Sequence, residues 1–195
     1  MLKKSINIIS KITFLMNKIN LNNTEIEIII KDITDTDFDA VVVPSNSRLL
    51  PSGNLRCRIL RKAGPKVQIE CNRIINKKAI IPIGSAVMTT GGELNTKHII
   101  HVVGPRLGKS ASKQLMFATW NTLKIADKAG LSSLALNPIS IENLGFTTEI
   151  CAKIMLPTMK KYLLEKNENL KKIVIYLNKL PEYKDFEKVL DNIGA

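Results

Sequence analysis

Along the chain, short apolar runs alternate with stretches whose apolar residues recur at helical spacing. Glu25–Ile30 (EIEIII) alternates and then becomes wholly apolar, which predicts a strand. Ala40–Val43 is short and uninterrupted, as expected of a central strand buried on both faces. Further strands are expected at Ser85–Thr90, His98–Val103, Leu134–Asn137 and Ile173–Leu177. From about Asn54, the residues Leu55, Ile59, Leu60 and Ala63 share one helical face, with Arg56, Arg58, Arg61 and Lys62 largely away from it. Gly64-Pro65 stops that helix, and Pro65 suits the first turn of a second that buries Val67, Cys71, Ile74 and Ile75. Residues 112–129 and 147–166 read as helices, the latter with Pro157 as an internal cost, and Asp185–Leu190 as a terminal helix.

Strands alternating with helices predict an α/β fold, a three-layer α/β/α sandwich with a mixed, largely parallel central sheet. Ligands of such sheets sit at the carboxyl ends of the strands, so the loops after Ile30, Val43 and Asn137 are candidate site walls. Residues 23–195 are read as one domain, preceded by a basic extension, residues 1–22, that contains no acidic residue. This extension has the composition of an organellar targeting segment, the alternatives being a plain extension, an added strand, or translation from Met16.

Composition narrows the class. The 195 residues suit one domain with a self-sufficient core, and no apolar run approaches the ~20 residues that span a bilayer. Cys57, Cys71 and Cys151 form no CxxC pair, so neither a disulfide scaffold nor a thiolate metal site is expected, and a reducing, cytoplasmic setting fits. The net charge of +12 is concentrated: residues 51–110 carry eleven basic and two acidic groups. A localised positive field of this kind attracts phosphates or nucleic acid. His98 and His101, three apart on one strand, point to opposite faces and cannot share a metal there; His101 and Trp120 are read as core residues. No catalytic residue, metal site or cofactor is assigned.

Several separated blocks then resemble a known family. They are Asp32-Ile33-Thr34, Asp39–Val43, Asn46-Ser47, Leu49-Leu50, Ala63-Gly64-Pro65, Ile100–Pro105, Asn137–Ser140 and Gly145-Phe146. Together they resemble a macro domain over about residues 24–192. The resemblance implies an α/β/α fold that binds ADP-ribose and its relatives, some members also hydrolysing ADP-ribosyl bonds. It implies that Asp32 accepts a hydrogen bond from adenine while the Ile33 N–H reads a ring nitrogen; a turn-capping aspartate is the rival reading. It implies that Asn46 bonds a ribose hydroxyl, the rival being a turn asparagine. Gly53 and Asn54, which tolerate positive φ, and the amides of Ser140, Ile141, Asn143, Leu144 and Gly145 are expected around the phosphates. Phe146 is expected against ribose and base, with a core phenylalanine as the alternative.

Departures from the family pattern bear on chemistry. The glycine run of the hydrolases is here Pro51-Ser52-Gly53-Asn54, and Arg56 stands ten residues after Asn46 where they carry an acid. An arginine is donor-only and cannot activate water, but it can pair with a phosphate. Glu142 replaces a glycine of the second phosphate loop, and its charge would oppose a diphosphate if it faced inward. The favoured expectation is therefore a divergent member that binds ADP-ribose, or an ADP-ribosylated protein, without the usual hydrolysis. The alternatives are an ADP-ribosyl or ADP-ribose 1″-phosphate hydrolase with a rearranged site, and an RNA- or polyanion-binding surface over Arg56–Lys78.

Overall fold

The computed structural model describes residues 16–141 and 144–194. Seven strands form one sheet: β1 (Met16–Leu21), β2 (Thr24–Ile30), β3 (Ala40–Pro44), β4 (Ala86–Thr90), β5 (His98–Val102), β6 (Ser133–Leu136) and β7 (Lys172–Leu177). Their order is β1-β2-β7-β6-β3-β5-β4, with β2, β7, β6, β3 and β5 parallel and the edge strands β1 and β4 antiparallel to their neighbours. Five helices cover the faces: α1 (Asn54–Ala63), α2 (Pro65–Lys78), α3 (Ala111–Lys128), α4 (Thr148–Glu165) and α5 (Leu180–Gly194).

The parity of each strand decides which layer it feeds. Val41 and Val43 of β3 join Ile99, Ala135 and Val174 beneath α1 and α2, which contribute Ile59, Val67 and Cys71. Ala40 and Val42 face the other way, with Ile100, Leu134 and Ile173, against Leu115, Met155 and Phe186 of α3, α4 and α5. Coverage on both sides is why β3 is uniformly apolar. On β2, Glu25 and Glu27 alternate with buried Ile26 and Ile28, and both carboxylates pair with Lys172 of β7. Asp39, just before β3, accepts from the backbone and hydroxyl groups of Ser132 and Ser133 at the start of β6. Its ion pair with Lys97 and the Ser132 and Ser133 donors outweigh burial and hold this carboxyl well below the usual range. The starts of β3 and β6 are thereby fixed, and their carboxyl ends aligned.

Two expected boundaries move. Met16–Leu21, placed in the extension, is the antiparallel partner of β2, so the domain includes the chain from residue 16. The targeting reading falls on residues 1–15, outside the described residues. The terminal helix is two turns longer than expected because Tyr183, Phe186 and Leu190 form a buried stripe that begins near Pro181. Helix α4 runs through Pro157 without ending. Among the described residues, no helix is long and apolar enough to cross a membrane.

Candidate functional site

The segments leaving β2, β3, β6 and β7 at their carboxyl ends enclose a cleft of about 170 Å³, lined by Asp32, Asn54, Asn137, Ser140 and Asn178 among others. A second cleft, of about 330 Å³, shares Pro44, Leu55 and Leu144 with the first and continues it over Asn46 and Gly53. The first is too small for a drug-sized ligand, whereas the second falls within the ordinary range of about 300–1,000 Å³.

At one end, Asp32 Oδ1 accepts from the Thr34 N–H at 2.9 Å and caps the single 3₁₀ turn Ile33–Asp35. Its other oxygen pairs with Arg58 of α1, a cleft-lining residue. Burial works to raise the Asp32 pKa, but the Thr34 N–H and Arg58 outweigh it and the net shift is downward. Asp32 is thus an anionic acceptor at the cleft rim. Ile33 is buried beside it.

Helix α1 begins in the cleft with its terminus unsatisfied. Gly53 is the N-cap at φ 70°, a conformation that suits glycine, and no side chain caps the helix. The first turn has no acidic residue, and among the described residues no carbonyl or side chain accepts from the N–H groups of Gly53, Asn54, Leu55 or Arg56. A helix end left this way carries roughly half a positive charge and several aimed donors, which favours an anion.

Across the first cleft lies the loop after β6. Ser140 is held at φ 72°, a strained conformation for a residue with a side chain, worth on the order of 1–3 kcal/mol. Its neighbour Gly104 explains the crowding: a Cβ there would lie 2.2 Å from the Ser140 hydroxyl. That hydroxyl is buried without a hydrogen-bond partner, and so is Asn137 Oδ1, whose amide nitrogen donates to the Tyr176 carbonyl. Two orphaned polar atoms on residues that line one cleft are unusual, since buried polar groups are nearly always paired. Leu107 N–H donates to the Leu144 carbonyl and ties the Gly104 segment to this loop. Asn143, and the question of where Glu142 points, fall outside the described residues.

The second cleft is lined by Ser45, Asn46, Ser52 and Arg106, and by no described carboxylate. The Asn46 side chain organises its own loop: Oδ1 accepts from the Arg48 and Leu50 N–H groups, and Nδ2 donates to the Leu50 carbonyl and Ser52 Oγ. Beneath it, Arg56 is 1% exposed. It donates from Nε to the Leu50 carbonyl (3.0 Å), and from its two terminal nitrogens to the Leu49 carbonyl (2.5 Å), Ser45 Oγ (2.7 Å) and His101 Nδ1 (2.8 Å). Because a guanidinium only donates, His101 Nδ1 must be the acceptor, and Nε2–H then donates to Thr89 Oγ1 at 2.9 Å. Burial, then the neighbouring Arg56, pushes the His101 pKa down to about 3, so the imidazole is neutral.

A family model described as Macro domain matches residues 42–155 of the chain. The chain belongs to the macro domain family. A macro domain-containing protein of Listeria monocytogenes is 36% identical over 142 residues, covering 71% of this chain and 80% of that protein. A Sulfolobus acidocaldarius protein is 37% identical over 161 residues, 83% of this chain and 87% of its own. Among solved structures, a variant of the Oceanobacillus iheyensis macrodomain with ADP-ribose aligns at a TM-score of 0.86 with 26% identity, covering 91% of this chain and 98% of that one. The same macrodomain with ADP aligns at 0.84 with 27% identity over 91% of this chain and 96% of that one.

In this macro domain the expected site residues divide. Asp32, Ile33, Asn54, Ser140, Ile141 and Leu144 line the first cleft, and Asn46, Gly53, Arg56 and again Leu144 the second. Gly145, at φ 86°, turns the chain beside Leu107. Phe146 corrects an expectation: it is buried among the core residues of the α3–α5 face and is absent from both cleft walls. Arg56 is the second correction. Its donors are spent on interior acceptors, so it is not free to pair with a phosphate, and it leaves the basic stripe expected over Arg56–Lys78. Arg58 and Lys62 of that stripe are paired with Asp32 and Asp35. Asn137, Arg58, Asn178 and Glu182 were not singled out as site residues. Only Asn137 carried a signal, as the last residue before a loop already expected to form a wall.

Proposed function

We propose that this macro domain binds ADP-ribose, free or attached to a protein, without hydrolysing it by the usual route. The observation that carries the reading is the uncapped, acid-free α1 terminus sharing a cleft with the orphaned Ser140 hydroxyl and Asn137 carbonyl oxygen. These groups supply donors for a diphosphate and unspent polar atoms for hydroxyls, at the carboxyl ends of parallel strands where such ligands sit. Asp32 and the Ile33 N–H, on the wall of the first cleft, would take the adenine edge. Asn46 lies at the other end, where the distal ribose would reach the second cleft. The Oceanobacillus iheyensis macrodomain carries ADP-ribose or ADP on the same fold. The carboxylates described at the clefts, Asp32 and Glu182, both belong to the first, so the second has no described group to take a proton from water. That favours binding over turnover.

Titration calorimetry tests the reading. Saturable heat with ADP-ribose, stronger than with AMP, is expected; no heat at millimolar ligand with folded protein overturns it. A sharper version uses Asn54→Asp. A carboxylate in the first turn of α1 complements the helix dipole and should stabilise the fold by about 0.3–1 kcal/mol. The same charge opposes the diphosphate and should weaken ADP-ribose on the order of tenfold, about 1.4 kcal/mol. Stability and affinity then move in opposite directions, which general disruption cannot produce. Unchanged affinity would place the diphosphate elsewhere.

A further inference from the structure

Edge strand β4 carries an open row of peptide groups beside a basic groove. The Thr90 N–H leaves the sheet to donate to Glu70 of α2, while Gly91 N–H and Val103 N–H make the β4–β5 ladder bonds on either side. In an antiparallel ladder, alternate residues direct both polar groups the same way, so Ala86 and Met88 share the outward direction of Thr90. Nothing among the described residues accepts from or donates to them. The end of the edge at Thr90 is closed by Glu70; the end at Ala86 is open. There β4 forms one wall of a groove of about 480 Å³ between the end of α2 and the side of α3. Its charged lining is Lys78, Lys124 and Lys128, with no carboxylate. No acidic residue occurs between Leu94 and Ala126. Beside the groove Ile83 is 50% and Phe117 46% exposed, and Ile83 also lines the second cleft.

The geometry points to a docking site on which an extended acidic polypeptide segment adds a strand to β4 over Ala86–Met88, with its carboxylates against Lys78, Lys124 and Lys128. Free strand edges are bonded by other backbones, and alternate side chains of the added strand face the flanking walls. The strand itself, AVMTT, has none of the charges, prolines or bulges that usually blunt an edge. The unpaired peptide groups favour a polypeptide over a nucleic acid, and no aromatic side chain lines the groove to stack a base. Continuity through Ile83 sets such a segment next to the second cleft, but the docking does not depend on what that cleft holds.

A fluorescein-labelled octapeptide of alternating glutamate and valine, which carries no nucleotide, is the probe. Fluorescence polarisation with the whole protein should show saturable binding, lost with a lysine–valine octapeptide. Methylating every second backbone nitrogen of the probe, its charge unchanged, should weaken it at least tenfold. The double variant Lys124→Glu, Lys128→Glu should do the same with its melting temperature kept. Absence of saturable binding, equal binding of the methylated probe, or tighter binding of a labelled oligouridylate would overturn the proposal.

Discussion

Arg56→Ala is expected to lower stability by about 3–5 kcal/mol, among the largest effects of any single substitution outside the apolar core. The reasoning is a count of what the guanidinium satisfies. It meets the Leu49 carbonyl and His101 Nδ1 in the interior, and the Leu50 carbonyl and Ser45 Oγ in a half-buried setting. Alanine leaves His101 Nδ1 and Ser45 Oγ without a donor, at about 1–3 kcal/mol each where water cannot replace the bond, leaves the Leu49 and Leu50 carbonyls to Gln68 and Asn46 alone, and opens a cavity under residues 45–52. In a domain of this length about 1 kcal/mol corresponds to roughly 2–4 °C, so the melting temperature should fall by about 10 °C. Arg56→Met, which fills the space but donates nothing, should recover only the cavity part. Arg56→Lys should recover little, because one ammonium cannot reach acceptors on opposite sides of a planar fork. Calorimetric melting of the three variants decides the matter. A loss below about 2 °C for Arg56→Ala would mean that the loop is held by Asn46 alone.

Arg56 also marks where the sequence misleads. On a helical wheel it falls among Ile59, Leu60 and Ala63, on the side away from Arg58 and Lys62, but a charged residue is ordinarily assigned to solvent. Its spacing from Ile59 and Ala63 places it on the buried face of α1, and only its charge argues against that. The partner that makes its burial tolerable, His101, lies 45 residues away. His101 itself was legible as a core residue, because it falls in the Ile100–Pro105 block that resembles the family. Asp32 was legible as a turn cap, which one oxygen provides, while the other pairs with Arg58 at the cleft rim. The architecture was the most legible part, since valine-rich β3 and the amphipathic helices repeat the α/β pattern locally. Strand β1 was obscured because its pattern, MNKINL, alternates weakly, and Lys18 gains its partner Glu25 only once the hairpin forms. The site's orphaned atoms could not be read at all. That Ser140 adopts a positive φ, and that Asn137 spends its amide on Tyr176 and leaves its oxygen over, are consequences of tertiary packing.

The same buried pair makes the fold acid-sensitive in a defined window. His101 has a folded pKa of about 3 against an ordinary value of 6.5, because burial and the adjacent Arg56 both oppose its charge. Between those values the unfolded chain binds a proton that the folded chain refuses, so stability falls as pH falls. The contribution is intact above about pH 7 and lost progressively on acidification, about 2 kcal/mol between pH 7 and pH 5. The depressed carboxylates, Asp39 among them, act near and below their ordinary value of 3.8, so this window belongs mainly to the histidine. Denaturant unfolding at pH 7, 6 and 5 should show the slope in the wild type. His101→Asn keeps an acceptor near Nδ1 for Arg56 and removes the titration; its stability at pH 7 should be lower, and its slope over the same window nearly flat. An unchanged slope in His101→Asn would show that the imidazole is not the acid-sensitive group. Because protonated His101 would confront the Arg56 guanidinium at hydrogen-bond distance, the first structural consequence should be release of residues 45–52 from β5. ADP-ribose affinity should then decline over the same pH range in the wild type and decline less in the variant, coupling the second cleft to a histidine that does not line it.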